Sequence, residues 1–149
     1  MVDPIKVLMV DDEKQFRNTT KKILNRKGFN TILAASGEEA IEKMAENPDV
    51  VILDVKMPGM DGIEVLSEMK RIKPLVEVIM LTGHATVETA IEGMKLGAYD
   101  YLMKPCETAD LVAKIDRAYG RKAEQEERIR EARVKEIISS PRSVLKDEP

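Results

Sequence analysis

Cysteine is all but missing. Cys106 is the only one in 149 residues, so no internal disulfide framework exists, and a lone thiol fits a reducing compartment. Long apolar runs are missing as well. The longest are about five residues, far short of the roughly twenty that cross a bilayer. The opening Met-Val-Asp-Pro lacks the charged-then-apolar pattern of a secretory signal. A soluble, cytoplasmic protein without membrane contact is expected. Positive charge is not in excess: 24 Lys and Arg face 27 Asp and Glu, a net charge of −3. The chain therefore gives no electrostatic case for direct nucleic-acid binding. No glycine-rich loop follows the first apolar run, which speaks against a dinucleotide-binding enzyme. No helix-turn-helix or ATPase loop follows the main body.

What is present suits a globular domain. The sequence is 43% hydrophobic and 34% charged, and a body of about 120 residues can bury a core without staples. Short runs of branched apolar residues, Ile5 to Val10, Val50 to Leu53 and Val76 to Leu81, read as strands buried on both faces. Thr31 to Ala35 and Tyr99 to Met103 are weaker strand candidates. Between them lie segments of helical periodicity. Phe16, Thr20, Ile23 and Leu24 share a face, and Gly28 follows as a stop. Ser36 and Glu39 have the form of a capping box. Gly62 to Ile72 carries Ile63, Leu66 and Met69. Thr86 can cap a helix bearing Val87, Ala90, Ile91 and Met94, and Thr108 can cap the last one, with Leu111, Val112, Ile115 and Ala118. The order βαβαβαβαβα predicts a doubly wound, five-stranded parallel sheet with helices on both faces. Ligands in such folds bind beyond the carboxyl ends of the strands.

Those ends carry Asp11 and Asp12 after the first strand, Asp54 after the third, Thr82 at the fourth and Lys104 after the fifth. Three carboxylates brought together repel one another unless a cation joins them. Every candidate ligand is an oxygen, so a hard cation is implied, and Mg²⁺ fits best. With Lys104 and Thr82 beside it, Asp54 can act as a nucleophile toward a phosphoryl group. A single Asp at a strand end is more often a turn residue or helix cap; the combination is what carries the reading.

At these positions the sequence resembles the receiver domain of two-component response regulators. The matching motifs are Val7-Leu8-Met9-Val10-Asp11-Asp12-Glu13, the run from Asp54 through Pro58-Gly59 to Gly62, Leu81-Thr82-Gly83, and Asp100-Tyr101-Leu102-Met103-Lys104-Pro105. The resemblance covers about Lys6 to Ala118 and implies a flavodoxin-like sheet of strand order 2-1-3-4-5. It makes Asp54 the phosphoacceptor, Lys104 its ion-pair partner, Thr82 the switch hydroxyl and Tyr101 the switch ring. Asp11, Asp12 and Asp54 would hold Mg²⁺ together with the backbone carbonyl of Lys56. Lys56 and His84, each two residues beyond a key position, would tune dephosphorylation. The Lys104-Pro105 bond would be cis. A sensor histidine kinase or phosphotransfer protein is the implied donor. A downstream effector or a separate output domain is the implied target, reached through the face formed by the fourth helix, fifth strand and fifth helix. That face, or the extended last helix, would also serve a homodimer. Without the family, the plain alternative for Tyr101 is a core aromatic, and only its position three before Lys104 favours the switch; Cys106 reads as a bystander and most methionines as core fillers.

From Arg121 the composition turns to Glu, Arg and Lys, with Glu124/Arg128, Glu126/Arg130 and Glu131/Lys135 at i,i+4 spacing. The last helix is expected to run to about Ile138. The expected division is a receiver over 1–120 and a helical linker with a flexible tail over 121–149. A heptad through Leu111, Ile115, Ala118, Lys122, Gln125, Ile129, Ala132 and Glu136 is too polar for a strong coiled coil, so a solvated helix and a signalling helix both remain open. Two other functions compete with this reading. A phosphatase acting on external substrates often has a second carboxylate two residues after its nucleophile, where this chain has Lys56. A pure interaction module would lack one of Asp12, Asp54 or Lys104. The expectation is a switch, not a turnover enzyme.

Overall fold

The computed structural model describes residues 3–55, 61–83 and 86–139. Strands β1 (Lys6–Val10), β2 (Asn30–Ala34), β3 (Val50–Leu53), β4 (Glu77–Thr82) and β5 (Asp100–Met103) alternate with helices α1 (Lys14–Arg26), α2 (Gly37–Lys43), α3 (Gly62–Ile72), α4 (Val87–Lys95) and α5 (Thr108–Ser139). A short 3₁₀ turn, Met44–Glu46, extends α2. All strand pairs are parallel, in the order β2-β1-β3-β4-β5. The fold class and strand order are those expected. Strand limits differ by one residue, and β4 begins with Glu77, a buried acid inside the sheet.

Period-two alternation divides the core. Leu8, Val10, Val51, Leu53, Val78 and Met80 point to one face and pack with Val65, Leu66 and Met69 of α3. Val7, Met9, Val50, Ile52, Ile79 and Leu81 point to the other and pack with Leu24 of α1 and with Leu111, Ile115 and Ala118 of α5. Both faces being covered explains why the central strands carry almost no polar residues.

Local chemistry sets the helix ends. Ser36 accepts the Glu39 N–H, and Glu39 reaches back to the Ala35 N–H. Thr86 accepts the Thr89 N–H. Gly28 and Gly97 close α1 and α4 at φ of +97° and +105°, where side-chain-bearing residues are strained. Thr108 is the first residue of α5 rather than its cap.

Helix α4 packs on the sheet by its small residues. Its large apolar residues face outward, with Val87 75%, Ile91 50% and Met94 44% exposed, while Ala90 and Gly93 are buried. The helix approaches the sheet along its smallest residues, and a Cβ on Gly93 would lie 2.3 Å from Cε of Met80. The methionines divide accordingly: Met9, Met44, Met69 and Met80 fill the core, while Met94 and Met103 are exposed.

Helix α5 runs unbroken through Gly120. Leu111, Ile115 and Ala118 are spent on the core, so the first part of the heptad is not a free seam. Lys122 then binds Asp49 at 3.0 Å, and Arg121 forks onto both oxygens of Glu77. No helix among the described residues is long and apolar enough to cross a membrane.

Candidate functional site

The register aligns the strand ends. Val10 pairs with Leu53, Leu53 with Met80, and Thr82 with Met103. Backbone bonds carry the ladder a residue further. The Asp11 N–H donates to Ala34, the Asp54 N–H to Val10 and the Lys104 N–H to Thr82, at 3.0 to 3.1 Å. Parallel strands of matched register therefore deliver Asp11, Asp54, Thr82 and Lys104 to one edge.

Carboxylate oxygens of Asp11, Asp12 and Asp54 lie within 4.8 Å of one another. Asp11 is fully buried, Asp54 nearly so and Asp12 exposed. The Lys104 ammonium donates to Asp11 Oδ2 at 2.5 Å and lies 3.4 Å from Asp54 Oδ2. Burial works against its charge, but Asp11 and then Asp54 outweigh burial and hold it above the ordinary lysine range. The Lys104-Pro105 bond is cis.

Asp11 is pinned from several sides. Its Oδ1 accepts the Glu13 N–H at 2.9 Å, and its carbonyl accepts from Arg17 Nη1 at 2.8 Å. Phe16, from the same turn of α1, places its ring centroid 4.2 Å from the Lys104 ammonium. The sequence announces none of these three contacts. Phe16 reads as a core residue of an amphipathic helix, and nothing nearby in sequence announces a lysine in the β5–α5 connection.

Thr82 is buried at the end of β4. Tyr101 lies one strand away and is 41% exposed, so it is not a plain core aromatic. The two line a tight gap with Val55, Met80, Thr89 and Ala90. Lys56, the Pro58-Gly59 turn and His84 lie outside the described residues. Cys106 is half-buried; burial first, then Asp110 and Glu107, push its thiol upward.

The donor set suits a hard cation. It consists of oxygens only, and one ammonium leaves the negative charge of three carboxylates incompletely balanced. The model of the response regulator receiver domain family matches residues 7–116. The chain belongs to this family. It is 44% identical over 117 residues to a putative NtrX-like response regulator of Rickettsia bellii, covering 76% of this chain and 24% of that protein. It is 40% identical to the transcriptional regulatory protein ZraR of Escherichia coli over 78% of this chain and 26% of ZraR. Among solved structures, a receiver domain protein from Clostridium thermocellum superimposes with TM-score 0.76 and 40% identity, over 79% of this chain and 96% of that one. NtrX from Brucella abortus gives TM-score 0.76 and 32% identity, over 82% of this chain and 29% of that one. This receiver thus spans about a quarter of the curated relatives it matches.

Proposed function

We propose that this receiver is a Mg²⁺-dependent phosphoacceptor switch, taking a phosphoryl group on Asp54 from the phosphohistidine of a sensor histidine kinase or phosphotransfer protein. The observation that carries the reading is a nearly buried Asp54 with Lys104 3.4 Å away and two further carboxylates beside it. An Asp54 oxygen attacks phosphorus, the phosphorus–nitrogen bond to the donor imidazole breaks, and the departing imidazole takes up a proton. Lys104 pairs with the phosphoryl oxygens as their charge develops, and desolvation strengthens that pairing. Asp11, Asp12, Asp54 and the Lys56 carbonyl would hold Mg²⁺, which supplies charge neutralisation at the transferring group.

The switch follows from a local change in charge. A phosphoryl group adds acceptor oxygens that the Thr82 hydroxyl can bind only in that state. Movement of Thr82 opens space in the gap it shares with Tyr101, and the partly exposed ring turns into that space. The exposed apolar residues of α4 and β5, with the adjoining surface of α5, form the proposed signalling face, for an effector or a second copy. Residues 121–149 act as a linker after the receiver at 1–120. The curated relatives named as transcriptional regulators support an output module elsewhere in the whole protein, with no direct nucleic-acid contact by this chain. Lys56 and His84 set the rate of hydrolytic loss, and the setting is the cytoplasm. Lys56, where phosphatases of external substrates often carry their second carboxylate, favours self-modification over turnover.

Incubation with acetyl phosphate and Mg²⁺ tests the reading. Intact-mass spectrometry should show one added phosphoryl group, absent from Asp54→Asn. Repeated turnover of an external phosphoester, or no uptake, rejects it.

A further inference from the structure

The Lys104 ammonium is closer to Asp11, at 2.5 Å, than to Asp54, at 3.4 Å. Yet its proposed task is at Asp54, and Asp11 is one of the proposed metal ligands. A cation that engages the Asp11 carboxylate competes with Lys104 for the same oxygens. An amine held only by carboxylates that also serve the metal would be loosened when it is needed. One further contact does not compete for metal: the face of Phe16, 4.2 Å from Nζ. An aromatic face attracts an ammonium through its quadrupole, and the attraction is stronger where water is largely excluded. The Lys104 side chain is only 19% exposed. Phe16 is itself held by α1, whose first turn is tied to Asp11 through Arg17. Ring, carboxylate and amine therefore share one anchored frame.

We propose that Phe16 is a positioning residue for phosphoryl transfer. Its ring holds the Lys104 ammonium beside Asp54 when the Asp11 carboxylate is drawn toward the cation. The inference rests on the phosphoacceptor reading and adds to it a residue outside the charged cluster.

A graded experiment separates this electrostatic role from simple packing. Site-specific replacement of Phe16 by difluoro-, trifluoro- and pentafluorophenylalanine keeps the ring shape while draining its negative face. Phosphorylation by acetyl phosphate at saturating Mg²⁺ should slow with each step of fluorination. The full series, like Phe16→Leu, should lose roughly tenfold. Mg²⁺ affinity, measured by calorimetry, should stay within about twofold, and Phe16→Tyr should keep the wild-type rate. A second readout needs neither metal nor donor. The Lys104 ε-methylene protons should show an upfield ring-current shift in the NMR spectrum, lost in Phe16→Leu. A flat or rising rate across the series, or no ring-current shift, overturns the role of Phe16 while leaving Asp54 as acceptor. Wild-type protein that takes up no phosphoryl group overturns the phosphoacceptor reading and this inference with it.

Discussion

Arg121 of α5 grips the carboxylate of Glu77 at the foot of β4, tying the start of the helical extension to the N-terminal end of that strand. Glu77 is 1% exposed, and Lys70 approaches it at 3.8 Å from α3. Arg121 also lies over the Tyr99 ring at 4.7 Å. Removing Arg121 leaves the buried Glu77 carboxylate with the longer Lys70 contact as its remaining ion pair among the described residues. Arg121→Leu should therefore cost about 2 kcal/mol, less than a fully buried pair would because Arg121 is nearly half exposed. Urea denaturation measures it. Glu77→Leu combined with Arg121→Leu should be less destabilised than the two single costs added together. Strict additivity would mean the two groups do not interact.

Removal of Lys104 should move metal affinity and chemistry in opposite directions. The ammonium now neutralises part of the charge on Asp11 and Asp54. In Lys104→Met a cation meets less competition, so Mg²⁺ should bind several-fold tighter by calorimetry. Phosphorylation by acetyl phosphate should fall by at least about tenfold, since the Lys104 ammonium no longer meets the developing charge. Without metal the variant should unfold at lower urea than wild type, because Asp11 and Asp54 lose their counter-charge. Added Mg²⁺ should restore part of that difference by mass action. Weaker Mg²⁺ binding in the variant would show that Lys104 supports the metal site rather than competing with it.

The thiol of Cys106 offers a pH test. Burial, with Asp110 and Glu107 nearby, raises its pKa above the ordinary cysteine value. The thiolate is the reactive form. Alkylation by iodoacetamide should therefore rise with pH later in the folded protein than in urea. The linkage runs the same way. The folded state favours the neutral thiol, so the stability it contributes is present below the unfolded pKa and is lost as pH climbs through the folded value. Coincident alkylation midpoints, folded and unfolded, would show that the surroundings do not tune this group.

The element order and the position of the acidic edge were legible because each strand is a short apolar run that ends abruptly at a polar residue, as at Val10-Asp11 and Leu53-Asp54. Caps at Ser36 and Thr86 and stops at Gly28 and Gly97 are local chemistry, and local chemistry is written locally. Distance in sequence hid the rest. Glu77 looks like a poor strand residue until Arg121 arrives from α5. Phe16 looks like one more apolar helix position until Lys104 arrives from beyond β5. The close approach at Gly62, where a Cβ would lie 2.3 Å from the Val55 Cα, depends on where α3 begins relative to the end of β3. The orientation of α4 is not written in its periodicity either: an apolar stripe does not say which side of the helix meets the sheet, and here Ala90 and Gly93 face it, with Gly93 over Met80.

That orientation leads to the last prediction. Val87, Ile91 and Met94 line an open apolar groove with Ala90, Lys95 and Tyr101. Three exposed side chains in one patch are costly to leave in water, and such patches mark interaction sites. Ile91 is half exposed, so Ile91→Glu should change folding stability by less than about 0.5 kcal/mol. Asp54 lies in the strand-end cluster rather than in this groove, so uptake from acetyl phosphate should also be unchanged. Association that appears only after phosphorylation should be lost, because a carboxylate would have to be desolvated in the contact. Sedimentation velocity with and without acetyl phosphate reads the outcome. If the wild type self-associates on phosphorylation and Ile91→Glu does so equally, the contact lies elsewhere, and the extended α5 becomes the surface to mutate next.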